Sequence, residues 1–335
     1  MAKLGRILRG ASRARLAAAA ALLGAGGLLY AREVETRLVE VKHVVLTLPR
    51  LAPEFDGYRL VQIGDLHLDD WVKPQRLRGI AQKVNEQRPD LVAITGDFAS
   101  YSAEQLDARR LIDALRDLTA RDDRVAILGN HDYLTDVKLV RRCIREAGVT
   151  ELINNAISLE RGEAALHVAG IDDVMEGRSR LDLVLQELPE SGAAILLAHE
   201  PDFADVSAAT GRFDLQLSGH SHGGQIGVPL LRRLVLPPFS QRYTRGLYQV
   251  GGMILYTNRG LGFVHLRLRF LCRPEITVFT LRSPDVWPER GPGGLTRAGH
   301  SYYPSLGASR LSKDRFLGSP RRVIGKANTA KPAQA

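Results

Sequence analysis

Five times along this chain an apolar run stops and gives way at once to a short string rich in Asp, His, Asn and Gly. Asp65-Leu66-His67 follows Tyr58 to Ile63, Gly96-Asp97 follows Leu91 to Ile94, and Gly129-Asn130-His131-Asp132 follows Val125 to Leu128. His199-Glu200-Pro201 follows Ala194 to Leu197, and Gly219-His220-Ser221-His222-Gly223-Gly224 follows Phe213 to Leu217. Short apolar runs bounded this way read as buried strands. Between them lie segments of helical period, with Leu77, Ile80, Ala81 and Val84 on one face and Leu111, Ile112, Leu115 and Leu118 on another. The alternation predicts βα units in an α/β fold, a layered sheet sandwich with helices outside. In such sheets ligands gather where the carboxyl ends of strands meet loops. The five strings are therefore predicted to meet at one place.

Leu166 to Ala169 predicts a further strand, Tyr248 to Val250 and Met253 to Thr257 a hairpin about Gly251-Gly252, and Glu275 to Leu281 a final strand. The residue types in the five strings suit a pair of divalent transition metals: carboxylates neutralise charge, imidazoles favour transition ions, and Asn130 offers an amide oxygen. A carboxylate can bridge two ions, and such a pair can clamp both the attacking and the leaving oxygen of a phosphoryl transfer. His220 and His222 are two apart, so on extended backbone both would face one cluster. Alone, Asp-X-His is common and Gly-Asp is usually a turn. Agreement among five contexts is what makes the set specific.

Over about residues 55 to 282 the motifs resemble those of the calcineurin-like metallophosphoesterases. That resemblance implies a four-layer α/β/β/α sandwich with mixed sheets. It also implies that Asp65, His67 and His222 hold one metal, that Asp97 bridges, and that Asn130, His199 and His220 hold the second, as Mn, Fe or Zn. His131 resembles the histidine that assists the leaving oxygen, and Asp132 either orients His131 or caps the following helix. The implied reaction is attack on phosphorus by a metal-bridging hydroxide. The apolar N-terminal run, Asn258-Arg259-Gly260-Leu261-Gly262 and Arg273-Pro274-Glu275 are similar to a membrane-linked bacterial branch. That branch includes envelope phosphodiesterases and UDP-2,3-diacylglucosamine hydrolases of lipid A synthesis. The expected substrate is thus a phosphodiester or pyrophosphate, possessing a lipid in the favoured case. The alternatives are a broad-specificity phosphomonoesterase and a scaffold that keeps the fold without catalysis.

The two ends set the domain limits at 1–32, 33–283 and 284–335. Of the total charge of +9, the first 32 residues contribute six basic side chains and no acid, and 284–335 contribute nine basic side chains against three acids. The core between is mildly acidic, which argues against a nuclease with a basic catalytic groove. Basic tails instead favour an anionic membrane as partner. Residues 16–31 form an uncharged apolar run after a basic stretch, short for a span of about 20 residues. It reads as an uncleaved anchor, a cleaved signal peptide or a helix lying in the interface. If it spans, the charge rule places the domain outside the cytoplasm at the bacterial inner membrane, whereas a UDP-linked lipid is expected on the cytoplasmic face. An interfacial helix removes that conflict. Oligomeric state leaves no mark on the sequence.

Four weaker features complete the reading. His167, alternating with apolar neighbours, is expected to be a packed core histidine, and Asp172-Asp173 a solvated turn rather than a lining of the substrate cleft. Trp71 either contacts a lipid or a base or caps the core. Arg232, Arg233, Arg242 and Arg245 surround the apolar stretch Leu234 to Phe239, as an anionic-lipid contact or a solvated loop. Cys143 and Cys272 show no spacing of a metal or redox pair.

Overall fold

A computed structural model describes residues 18–68, 74–100, 106–232 and 235–286. Trp71, Arg233, Leu234, the first 17 residues and everything after Val286 lie outside the described residues. Two six-stranded mixed sheets form the fold. The first has the order β1 (Glu40–Thr47), β12 (Glu275–Arg282), β2 (Tyr58–Ile63), β3 (Leu91–Thr95), β4 (Asp123–Ile127) and β5 (Thr150–Glu151). The second has the order β10 (Gly246–Val250), β11 (Met253–Thr257), β9 (Leu215–Ser218), β8 (Ala193–Leu197), β7 (Ala164–Gly170) and β6 (Asn155–Arg161). Strands β2 to β5 are parallel, and β12 joins them antiparallel to β2. In the second sheet β7, β8, β9 and β11 are parallel, and β6 and β10 close the edges antiparallel.

The period of two along a strand explains the layering. In β3, Val92 and Ile94 pack under α2 (Pro74–Glu86), α3 (Ala108–Arg116) and α5 (Val137–Glu146), meeting Leu77, Ile80, Leu111, Leu115 and Ile144. The alternate residues Leu91 and Ala93 face the other sheet, among Val168, Ile195, Leu217 and Phe279. Helices α6 (Leu181–Glu187) and α7 (Ala204–Ala209) cover the outer face of the second sheet through Val184 and Ala204. The chain is thus an α/β/β/α sandwich. Strands covered on both faces, such as Leu-Val-Ala-Ile-Thr and Ala-Ala-Ile-Leu-Leu, are apolar throughout because neither side meets water.

Residues 18–29 form α1, which leaves Leu22, Leu23, Leu28 and Leu29 exposed. A π turn, Tyr30–Val34, and a 3-10 turn, Glu35–Arg37, lead from it to β1. Among the described residues no helix is long and apolar enough to cross a membrane. The junction is fastened to the domain. Arg269 N donates to Ala31 O at 2.9 Å, and the buried Glu35 carboxylate accepts from Leu271 N and Cys272 N at 3.0 and 2.6 Å.

His167 is a core histidine, bonded to Ser158 Oγ at 2.8 Å and Ser191 O at 3.0 Å. Asp172-Asp173 is not a solvated turn: both are buried. Asp172 takes the Tyr133 hydroxyl at 2.6 Å, and Asp173 accepts the Glu176 N–H at 2.8 Å. A turn at the end of β7 is tucked under neighbouring chain, so each carboxylate finds protein donors in place of water. Cys143 and Cys272 are buried and free.

Candidate metal centre

The loops after β2, β3, β4, β8 and β9 emerge on one edge, and backbone bonds continue the sheet pairing into them. Asp65 N donates to Gly96 O at 2.9 Å, His67 N to Asp97 O at 3.1 Å, and Gly219 N to His199 O at 3.0 Å. Asp65, His67, Asp97, His220 and His222 all have positive φ, between 46° and 66°. This region is uncommon for residues other than glycine, and concentrations of it mark sites where function fixes the backbone. His220 and His222 are therefore not on extended backbone. Ser221 between them is helical, and His222 opens a 3-10 turn, His222–Gly224. The turn sends the two rings to opposite halves of the centre.

Asp65, His67, Asp97 and His222 form one group whose ligand atoms lie within 4.8 Å of one another, and Asp97, His199 and His220 form a second. Asp97 belongs to both. Its Oδ2 is 3.4 Å from His67 Nε2 and 3.2 Å from His199 Nε2. His222 Nε2 lies 3.0 Å from His67 Nε2 and 3.5 Å from Asp65 Oδ1. Ligands about 2.1 Å from one ion and at right angles stand about 3 Å apart, so this crowding matches a coordination shell. Asn130 is buried at the start of α4 (Asn130–Thr135), and its Oδ1 has no hydrogen-bond partner; nor has Asp65 Oδ2.

The histidine tautomers sharpen the fit. His199 Nδ1 faces Thr95 O at 2.7 Å and His220 Nε2 faces Pro238 O at 2.9 Å; a carbonyl only accepts, so each of these nitrogens donates. Neutral rings then turn the lone pairs of His199 Nε2 and His220 Nδ1 toward each other across 3.2 Å, beside the Asp97 carboxylate. That arrangement requires a proton or a metal ion between them. The residues present fit a divalent pair, with carbonyls fixing the outer ring nitrogens as second contacts do in metal sites.

Competition for protons among the side chains is correspondingly strong. Burial pushes Asp97 up, but the His199 and His67 imidazoles outweigh it and hold the carboxyl well below the usual range. Burial lowers His199, yet Asp97, Asp65 and Glu200 overcome this and raise it well above 6.5. Burial, with the Asp97 charge beside it, pushes Asp65 up to about 7. Burial lowers His67 and His222, and burial together with His199 takes His220 down to about 4.

His131 sits edge-on to His67, with ring centroids 4.7 Å apart. Its backbone N–H donates to Asp97 Oδ1 at 2.9 Å, and its Nδ1 donates to Ser100 O at 2.6 Å. Asp132 does not set the His131 ring; Ser100 O does. The Asp132 carboxylate instead accepts from the backbone N–H groups of Gly129, Asp97, Phe98 and Ala99 at 2.8 to 3.1 Å. It clamps the β3 and β4 loops together and closes the first turn of α4.

Two contributions to the site escaped sequence reasoning, which placed neither Arg269 nor Gly260 beside the metal ligands. Among the described residues Arg269 is the largest fully buried side chain. It donates to Arg259 O at 2.8 Å and to Gly262 O at 2.5 Å, and lies 3.4 Å from His222 Nδ1. Gly260, at φ +68°, passes so close to Asp65 that a Cβ would stand 2.6 Å from the Asp65 Cβ. Asn258-Arg259-Gly260-Leu261-Gly262 thus forms the wall behind Asp65, held by Asn258 Nδ2 on Thr277 Oγ1 at 2.8 Å and by an Arg259–Glu275 ion pair.

Comparison with known proteins agrees with this geometry. The calcineurin-like phosphoesterase family model matches residues 58–224. The chain is 38% identical to the uncharacterized metallophosphoesterase YkuE of Bacillus subtilis over 271 residues, covering 80% of this chain and 94% of that one. It is 30% identical to the phosphodiesterase YaeI of Escherichia coli over 228 residues, 67% of this chain and 82% of that one. A Danio rerio protein named transmembrane protein with metallophosphoesterase domain is 32% identical over 276 residues, 78% of this chain and 61% of its own length.

Proposed function

Because the chain belongs to the calcineurin-like phosphoesterase family, we propose that this metal-dependent phosphoester hydrolase cuts a phosphodiester or pyrophosphate bond in a membrane-associated substrate, UDP-2,3-diacylglucosamine being one such molecule. The observation that carries the reading is the Asp97 carboxylate shared by two groups of converging imidazoles. Asp65, His67 and His222 would hold one ion, Asn130, His199 and His220 the other, with Asp97 between them. Imidazole mixed with carboxylate suits Mn, Fe or Zn. When bound, such a pair lowers the pKa of water toward about 7 and neutralises charge on the phosphoryl oxygens.

The chain's own groups do the rest. His131 commits Nδ1–H to Ser100 O, so Nε2 is the atom that exchanges a proton with the departing oxygen. Its backbone N–H, bonded to Asp97 Oδ1, ties the ring's position to the bridging carboxylate. Asp132 holds that carboxylate's loop against α4. Preference for a diester is supported by the 30% identical E. coli relative, which is named a phosphodiesterase. Membrane association is supported by the exposed leucines of α1 and by the Danio rerio relative's name; the bacterial inner membrane is our assignment from the basic stretch before the apolar run.

The test is a hydrolysis panel on the purified full chain with its metal content measured. Nucleoside-diphosphate lipid, an aryl phosphodiester and an aryl phosphomonoester are compared with and without chelator. We expect about two transition ions per chain and chelator-sensitive turnover of a diester or the pyrophosphate. Turnover of the monoester alone makes the protein a phosphomonoesterase, and chelator-insensitive turnover removes the metal mechanism.

A further inference from the structure

The rim of the metal centre carries bulky apolar side chains that the fold leaves in water. Leu230 and Leu231, on α8 (Pro229–Arg232), are 77% and 48% exposed, and Leu266 and Leu271, on the irregular segment before β12, are 50% and 63% exposed. These two segments are stitched together. Gly227 N donates to Phe270 O at 2.6 Å, Phe270 N to Gln225 O at 2.9 Å, and the Gln225 side chain bonds both N and O of Val264 at 2.9 and 2.8 Å. Both adjoin the site: Cys272 Sγ rests 3.3 Å from His222 O, and Arg269 lies behind His222. The same segment holds the junction that follows α1, through Ala31 and Glu35. Metal centre, exposed leucines and the apolar N-terminal helix therefore share one end of the domain.

Charge selects the occupant. Residues 226–239 and 263–274 contain no Asp or Glu, and of their described arginines Arg273 is exposed, Arg232 and Arg267 are half-buried, and Arg269 is fully buried behind His222. Solvent-exposed leucines beside Arg232, Arg267 and Arg273, with the Glu35 carboxylate that bonds Leu271 N buried, match an interface where apolar tips enter the acyl boundary and guanidinium groups meet phosphates. Soluble surfaces rarely leave such a patch in water without a partner. We propose that this rim docks on an anionic lipid bilayer, with Leu230, Leu266 and Leu271 among the headgroups, so that the metal centre faces lipid-linked phosphoesters. The proposal rests on the membrane-substrate reading above and adds a second contact beyond the N-terminal segment.

The test attaches an environment-sensitive fluorophore to full-length Leu230→Cys and Leu266→Cys, with Leu183→Cys on α6 as the control; the native cysteines are buried. Vesicles of phosphatidylglycerol with phosphatidylcholine are compared with phosphatidylcholine alone. We expect blue-shifted, brighter emission at positions 230 and 266 with anionic vesicles, reversed by high salt, and no change at 183. Emission that stays water-like while the protein floats with the vesicles overturns rim docking, because the N-terminal segment alone then tethers the chain. Failure to float at all overturns it too. Leu230→Asp with Leu271→Asp should slow hydrolysis of a vesicle-borne diester about tenfold or more, leaving a soluble diester at the parent rate; equal slowing of both counts against docking. Blue shifts in a chain that hydrolyses nothing would retain the docking surface and sink the catalytic reading.

Discussion

At the residue scale the site depends on atoms that are close because no side chain intervenes. Gly129 shows this most sharply: a Cβ there would overlap the Asp97 carboxylate and stand 2.7 Å from the His199 ring. Gly129→Ala should therefore displace the shared carboxylate, with metal content reduced and turnover down by about 100-fold or more; a fully loaded, active variant would show that the loop yields easily. His131→Ala separates chemistry from metal binding. It should retain its ions in elemental analysis and lose about 10²- to 10⁴-fold in kcat, the range of a general acid. Asp97, Asn130 and the histidines were legible in the sequence because polar side chains directly after apolar strands have few structural reasons to be there. The role of Asp132 was not, since an acid beside a histidine looks like an orienting partner, and only the fold reveals four backbone N–H groups converging on it. Arg269 was hidden for a similar reason. In Leu266-Arg267-Leu268-Arg269-Phe270 it reads as the polar half of an alternation, whereas carbonyls from the 259–262 loop make burial of its charge tolerable.

At the scale of elements, strands buried on both faces could be read directly from their continuous apolar runs, and these are the strands that deliver the site. Strands β1, β5 and β6 left little trace. β5 has two residues, and β1 and β6 are edge strands with half-exposed, mixed-polarity patterns that turns and loops also show. More consequential is that β12, the last strand in the chain, lies inside the first sheet between β1 and β2. Sequence order alone gives no hint of that insertion. Its Phe279 is fully buried between the sheets and edge-on to Tyr256, with centroids 5.1 Å apart. Phe279→Ala should cost about 3 to 5 kcal/mol in denaturant unfolding, while Val45→Ala on the exposed face of β1 should cost little. Equal losses for the two would mean that β12 is not an interior strand of the sheet.

At the scale of the whole molecule, the buried acids couple stability to both pH and metal. A carboxyl whose folded pKa lies above its unfolded value near 3.9 holds its proton more tightly when folded, so stability falls as pH rises between the two values. Burial and the Asp97 charge place Asp65 and Asp132 at about 7, and burial beside Glu200 places Asp173 at about 9. His199, raised well above 6.5, has the same sign: its contribution is complete below the unfolded value and is lost as pH climbs through the folded one. His67, His220 and His222 are lowered and act oppositely, but only below about 6.5, where their unfolded counterparts titrate. Asp97, held low, matters only in acid. From about pH 6.5 to about 9, then, these groups together lower stability as pH increases, each by at most about 1.4 kcal/mol per pH unit. Metal ligation needs the same ligands deprotonated, so binding strengthens over the same interval. With chelator, Tm should fall across that range; with Mn²⁺ the fall should shrink or reverse. Asp173→Asn keeps an oxygen for the Glu176 N–H but cannot ionise. It should flatten the chelated slope and leave the metal-induced increment intact, because Asp173 supplies no ligand. A chelated Tm that climbs toward pH 9, or an unchanged slope in Asp173→Asn, would mean that protons on these acids do not control the fold.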